Sequence, residues 1–370
     1  MQPTAGTVPG EADALLLTGI YRAGSQPPEI SLYSVCLSPL LPLQRQWAWS
    51  PVNDKTLNGS MWEGLRDSSS VTEVKWADGG RKVVALLDNY IVLIAAPQHH
   101  GENPTLVSAI KLEESASNAH SVEVLPHNRV AVADGGRNAD TSGVQIYALD
   151  GGAGKGATAG PRIANGPCLQ KLTGFPSTHG LLWDQTQQVL WAVGDTAWPQ
   201  YPSQGLLRAY GYDASQQRFA SDPVAEQKVG SGKPTFEDPE WWDGPHDIAG
   251  VPGKRQLLIT TEENVFLCDI STGKVSEPLQ APQLDAFTSH SPHRTEANRP
   301  RSRFKSIGMR ASGAIIYTQP SAWRDDYPDM IGIYLDPDKN TVTNLGRTTY
   351  KARWFEAVAG WETPPIEPSF

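Results

Sequence analysis

Polar and apolar positions along this chain fall into one recurring phrase. A single polar residue opens it, a short apolar run follows, and a turn leads into a second β-type run. The phrase begins at Thr72 (TEVKW), His120 (HSVEVL), His179 (HGLLWD), His246 (HDIAGV), Lys305 (KSIGM) and Lys351 (KARWF). The first five are followed by VVALLD, RVAVAD, VLWAVGD, LLITTE and AIIYTQ. The sixth has no such partner downstream, and its complement is ALLLTG, Ala14 to Gly19, near the other end of the chain. The openings are separated by 48, 59, 67, 59 and 46 residues, the period of a four-stranded propeller blade with variable loops. Each interval holds four strand-like runs bounded by Gly, Asp, Asn or Pro turns, and no segment sustains a helical period.

The pattern predicts an all-β fold: a single β-propeller of six four-stranded blades, or seven if the insertion from Asp213 to Gly244 hides one. The closing blade is expected to take its inner strand from Lys351 to Val358. Its outer three come from the N-terminal runs ALLLTG, EISLYSV and QRQWAWS. Such overlap ties the two ends together and removes an open sheet edge. Residues 1–12 are expected to be a flexible lead-in, 13–362 the propeller and 363–370 a tail. The 34 Gly, 30 Pro and 12 Trp among 370 residues suit a turn-rich, aromatic β protein.

Composition narrows the function classes. A net charge of −9, with no basic cluster beside stacking aromatics, argues against nucleic acid. No apolar run is long enough for a membrane span. Cys36, Cys168 and Cys268 lack CxxC spacing, so no zinc site or disulfide framework is implied, although one bridge remains an open alternative. The segment MQPTAGTVPGEAD has neither a basic start nor an apolar core, and reads as a lead-in exposed after removal of an export signal. A secreted or periplasmic monomer is the expectation.

In a propeller the first strand of each blade lines the central channel, so the phrase-opening residues form an inner ring at one face. The second strands end at the same face, which places Asp88, Asp134, Asp195, Glu262 and Gln319 around that ring. A carboxylate beside an imidazole fixes its tautomer and raises its basicity. Loops over this face carry Trp198, Tyr201, Trp241, Trp242, Trp323, Arg299, Arg301, Arg303 and Arg324. Aromatic planes and arginines around a polar pit suit a sugar, above all an acidic one. The duller alternatives are polar channel-mouth histidines, aspartates that only make turns, and tryptophans that anchor loops. His99, His100, His127, His290 and His293 lie off the ring and read as loop residues.

Five segments carry a resemblance. AHSVEV (Ala119 to Val124), HGLLWD…LWAVGD (His179 to Asp195), HDI (His246 to Ile248), KSIG (Lys305 to Gly308) and YKARW (Tyr350 to Trp354) resemble a family of secreted microbial propeller proteins with a domain of unassigned function. The resemblance spans nearly the whole chain and implies the fold more than an activity. More distantly the chain is similar to propeller polysaccharide lyases of the rhamnosyl-glucuronate type, some of them seven-bladed. That similarity implies a channel-face histidine as the catalytic group.

The leading functional expectation is β-elimination on a uronic-acid glycan, with an acidic oligo- or polysaccharide as partner and no cofactor. A cation must neutralise the carboxylate and a base must take the C5 proton. Lys305, Lys351 and Arg303 are the candidate cations, and His120 or His179 the base. Asp134 or Asp195 would orient that base, and His246 would assist the leaving oxygen. Trp198, Trp242 and Trp323 are the candidate sugar platforms. One alternative is a divalent metal held by His120, His179 and His246; another is a non-catalytic glycan- or protein-binding propeller. A paired-carboxylate glycosidase using Glu237, Asp238 and Glu240 is a weaker idea.

Overall fold

The computed structural model describes residues 13–366 except 38–41, 100, 114–117, 137, 139, 150–161, 198–202, 231–242, 263, 277–302, 322–326 and 337–338; for 13, 61, 162–165, 336 and 339 only the backbone is described. It contains six antiparallel sheets arranged as a six-bladed propeller. Blades 2 to 6 have inner strands Val71–Ala77, Ala119–Leu125, Gly180–Asp184, Pro245–Gly250 and Ser306–Met309. Among the described residues helix is confined to the short segments Ser60–Trp62, Glu63–Arg66 and Asp78–Gly80.

Blade 1 closes the ring. Its inner strand is Ala352–Trp354, shorter than the run from Lys351 to Val358 implies, and it pairs with Asp13–Ile20. The register sets Leu16 opposite Trp354, Leu17 opposite Arg353 and Thr18 opposite Ala352. Glu29–Cys36 and Gln44–Trp49 complete the sheet. The insertion after Asp213 supplies no seventh sheet among the described residues. Arg218–Phe219 and Ala225–Val229 instead pair with Gly205–Asp213 of blade 4. One strand has no counterpart in the sequence reading: Arg162–Asn165 runs parallel to Thr105–Lys111 and extends blade 2 outward.

The core lies in the seams between blades rather than at one centre. Leu172 and Val144 of blade 3, for example, pack on Leu181, Trp183 and Tyr210 of blade 4. Every strand facing two seams is apolar on both sides, which is why the second strands read as continuous apolar runs. Near the axis, hydroxyl groups latch first and second strands together, within and between blades. Thr72 Oγ1 donates to Ala119 O at 2.8 Å, Thr18 Oγ1 to Lys351 O at 2.9 Å and Thr318 Oγ1 to Tyr350 O at 2.8 Å.

Beyond Trp354 the chain runs along the far face. Trp361 is buried among residues of blades 4 and 5, and Ile366 packs between blades 2 and 3. The Trp361 indole donates to Val251 O at 3.1 Å and lies where a Cβ on Gly250 would sit, 2.4 Å from its Cγ. Gly250→Val is therefore expected to expel the indole. The loss should approach the ~3–5 kcal/mol typical of deleting a buried Trp, read as a fall in the urea midpoint with unchanged far-ultraviolet circular dichroism.

Candidate active site

A strand alternates its side chains, so consecutive residues cannot both face a channel in regular geometry. Three inner strands escape that rule. Their pairing slips between Val71 and Glu73, between Ala119 and Ser121, and between Pro245 and Asp247. The bulged residues are Thr72, His120 and His246, the ring positions themselves. A bulge re-aims a side chain, and here it lets His120 and Ser121, or His246 and Asp247, both turn toward the axis. His179, Lys305 and Lys351 reach the same level differently, each standing just ahead of its inner strand.

The three phrase-opening histidines meet. His120 and His179 stack with ring centroids 4.2 Å apart at 29°, and His246 meets His179 edge-on at 5.4 Å. His120 and His179 are partly exposed at the floor of the pit, and His246 is buried. His179 Nδ1 donates to Ser177 O at 2.7 Å, which leaves its Nε2 lone pair unprotonated and available. His246 Nε2 lies 2.7 Å from Glu262 Oε1 and 2.8 Å from Lys305 Nζ, and Lys305 also reaches Glu262 Oε1 at 2.6 Å. Arg303, in the left-handed backbone region at φ 53°, is buried with Nε 3.4 Å from Glu262 Oε2.

A second layer sits beneath the pit, and the sequence reading missed it. Arg353 engages Glu73 through Nε (3.1 Å) and Nη2 (2.8 Å), Asp247 through Nη2 (2.7 Å) and Nη1, and Ile307 O at 3.2 Å. All five guanidinium donors are engaged. Lys351, fully buried, reaches His179 O at 2.8 Å, Asp247 Oδ1 at 3.2 Å and Glu73 Oε2 at 3.3 Å. Ser121 Oγ donates to Glu73 at 2.9 Å. Lys75 pairs with Glu123 at 2.5 Å and donates to Leu181 O at 2.6 Å. The signal for this layer was charge inside inner strands that otherwise read as apolar: Glu73, Lys75, Glu123, Asp247 and Arg353.

Of the candidate acids, Glu262 contacts an imidazole. Asp134 instead accepts from Gly136 N at 3.0 Å and Gln145 Nε2 at 3.4 Å, and Asp195 is fully buried at the end of its strand. Asp88 caps Ser69 N and Ser70 N at 2.8 and 2.9 Å. Trp198, Tyr201, Trp241, Trp242, Trp323, Arg299, Arg301 and Arg324 lie outside the described residues. Tyrosines not anticipated from sequence line the pit. Tyr350 packs 5.5 Å from His120, Tyr21 lies 6.4 Å from Tyr350, and Tyr327, 60% exposed, lies 6.2 Å from Tyr21. All three cysteines are free thiols.

Electrostatics keep the imidazoles neutral. Burial, followed by the positive charge of Lys351 and Lys305, drives His120 down to about 3. Burial also drives His179 and His246 below the ordinary histidine value. Burial pushes the Glu73, Asp247 and Glu262 carboxyls up, but their cationic neighbours outweigh it and hold all three low. Burial raises Asp134 to about 6. A three-histidine metal site does not fit this geometry. Lone pairs lie in the ring planes, so stacked rings do not converge, and an ammonium already faces His246 Nε2. Among the described residues no three His, Cys, Asp or Glu side chains converge to hold a metal ion.

Two predictions follow from these shifts and contacts. Below pH ~6.5 the unfolded chain binds protons that the native imidazoles refuse, so each such histidine removes up to ~1.4 kcal/mol of stability per pH unit. Asp134 acts with the opposite sign between pH ~6 and ~4, because its native carboxyl protonates first. The net result is acid destabilisation starting near pH ~6.5, measurable as the pH slope of urea stability, and His120→Phe should flatten it. Arg353→Met would strip the compensating charge from two buried carboxylates and should cost ~3–5 kcal/mol, read from the same denaturation curves.

No protein-family model matches the chain, and no curated protein matches it. Solved structures do. The crystal structure of a nidogen/laminin complex superposes with a TM-score of 0.51 at 10% identity, over 92% of this chain and 98% of that one. A candidate 6-phosphogluconolactonase from Bacteroides fragilis gives 0.50 at 9% identity, over 94% and 99%. Likeness at such identities is one of fold and carries no activity across; the chain is a six-bladed β-propeller.

Proposed function

We propose that the histidine pit is the active centre of a polysaccharide lyase acting on a uronic-acid glycan by β-elimination. The observation that carries this reading is the neutral His120–His179 stack held in the positive field of Lys351 and Lys305. That field draws in an anionic sugar, and the sugar's carboxylate offsets the share of the imidazole depression that the lysines add to the larger effect of burial, so the base strengthens when substrate arrives. His179, with Nδ1–H fixed on Ser177 O, is the base: its Nε2 takes the C5 proton. The electron pair forms the C4–C5 double bond as the C4–O bond breaks, and the imidazolium so formed on His179 passes its proton to the leaving oxygen, with His246 alongside.

Lys305 and Arg303 are the cations at the level of the pit for neutralising the carboxylate, with Glu262 holding both in place. Lys351 serves from below: it grips the His179 carbonyl and so positions the base. The exposed Tyr327, backed by Tyr21 and Tyr350, offers a ring on which a sugar stacks. The resemblance to secreted propeller proteins and, more distantly, to propeller lyases supports this reading, and with it an enzyme that would act outside the cytoplasm as a monomer.

Incubation with a panel of uronate polysaccharides should give near-ultraviolet absorbance from the unsaturated product. His179→Ala should lower kcat by ~10²–10⁴-fold, and the acid limb of kcat/KM should lie below pH ~6.5 because the free-enzyme imidazoles are depressed. Absence of any signal across the panel, in EDTA-treated and metal-supplemented samples alike, would overturn the reading.

A further inference from the structure

The far mouth of the channel holds a separate cavity of about 100 Å³ that opens to solvent. Its walls are Trp76, Leu182, Met309 and Trp354 from the ends of four inner strands, closed on one side by Val358 and Trp361 of the C-terminal segment. Lys75, Glu123 and Arg353 form the floor. The Arg353 bundle lies between this cavity and the histidine pit, so the two are chemically insulated. This is the mix of aromatic walls and a few convergent polar groups that binds small molecules.

The floor decides which molecule. Arg353 has no donor left, since all five are engaged within the bundle. Lys75 donates to Glu123 Oε2 and Leu181 O, which leaves one of its three protons over. Glu123 uses Oε2 for Lys75, and among the described residues Oε1 accepts no hydrogen bond. One donor and one acceptor thus stand side by side at the bottom of an apolar, tryptophan-walled cup. A hydroxyl satisfies both at once: it donates to Glu123 Oε1 and accepts from Lys75 Nζ. A carboxylate ligand would face Glu123 and, at the rim, Glu356 and Glu362. An ammonium would face Lys75 and Arg353.

We infer that the far-face cavity is a binding site for a neutral phenolic ring, seated between Trp76, Trp354 and Trp361 with its hydroxyl on the Lys75–Glu123 pair. The site is independent of the elimination chemistry and of the anionic glycan proposed for the pit. It binds without covalent change, and ring burial supplies most of the affinity while the hydroxyl supplies selectivity.

The test uses p-cresol, 4-methylanisole and p-toluate as probes of the full chain, followed by saturation-transfer NMR and tryptophan fluorescence. p-Cresol should bind, roughly ten-fold more tightly than the methyl ether, which cannot donate to Glu123; p-toluate should give no saturation transfer. Met309→Trp, which fills the cup without touching the ion pair, should abolish p-cresol binding, and Glu123→Gln should erase most of the preference over the ether. His120→Ala, in the other mouth, should leave p-cresol affinity unchanged. Equal binding of all three probes, binding that survives Met309→Trp, loss of binding in His120→Ala, or no binding of p-cresol at all would each overturn the assignment. None of these outcomes bears on whether uronate glycans are cleaved.

Discussion

One guanidinium organises the axis of this molecule. Arg353 belongs to blade 1, Glu73 to blade 2, Asp247 to blade 5 and Ile307 to blade 6, and all are joined through its donors. An inner strand of three residues is a weak closure by backbone pairing alone. The charge at its centre supplies what the short ladder lacks, because two buried carboxylates without that partner would face the full desolvation cost of ionisation. The fold and the pit therefore depend on the same contact. Lys351, two residues earlier, reaches from the bundle to the His179 carbonyl and sets the height of that imidazole.

Much of this was legible in the sequence because strand direction and blade period are long-range regularities. The six phrase openings placed His120, His179, His246, Lys305 and Lys351 at one level, and the structure brings the three imidazoles into ring contact there. The bulges were not legible. A period of two sends Ser121 away from the channel if His120 faces it, and Asp247 away if His246 does; only the slip in pairing lets both face inward. The acids at the second-strand ends show the limit of inference by proximity. Glu262 reaches an imidazole, whereas Asp134 turns back into its own loop, because a backbone amide two residues on competes for the same oxygen. Tyr21 and Tyr327 carried no sequence signal at all, being brought to Tyr350 by loops from opposite ends of the chain.

The two ends of the channel differ in kind. One is polar, cationic in its field and floored by imidazoles; the other is apolar and floored by a single donor–acceptor pair. A continuous aqueous pore would let charge screen between them. The packed bundle prevents this, so each mouth keeps its own electrostatic character in a low-dielectric surround.

Joining Asp13–Ile20 to Ala352–Trp354 has a temporal side as well. During synthesis the earliest strands leave the ribosome hundreds of residues before their partner, and until then blade 1 lacks its axial strand and Glu73 and Asp247 lack their counter-charge. The nascent protein is thus an open arc that closes into a circle only once Ala352–Trp354 has emerged, a topology in which synthesis of that one strand sets the moment of ring closure.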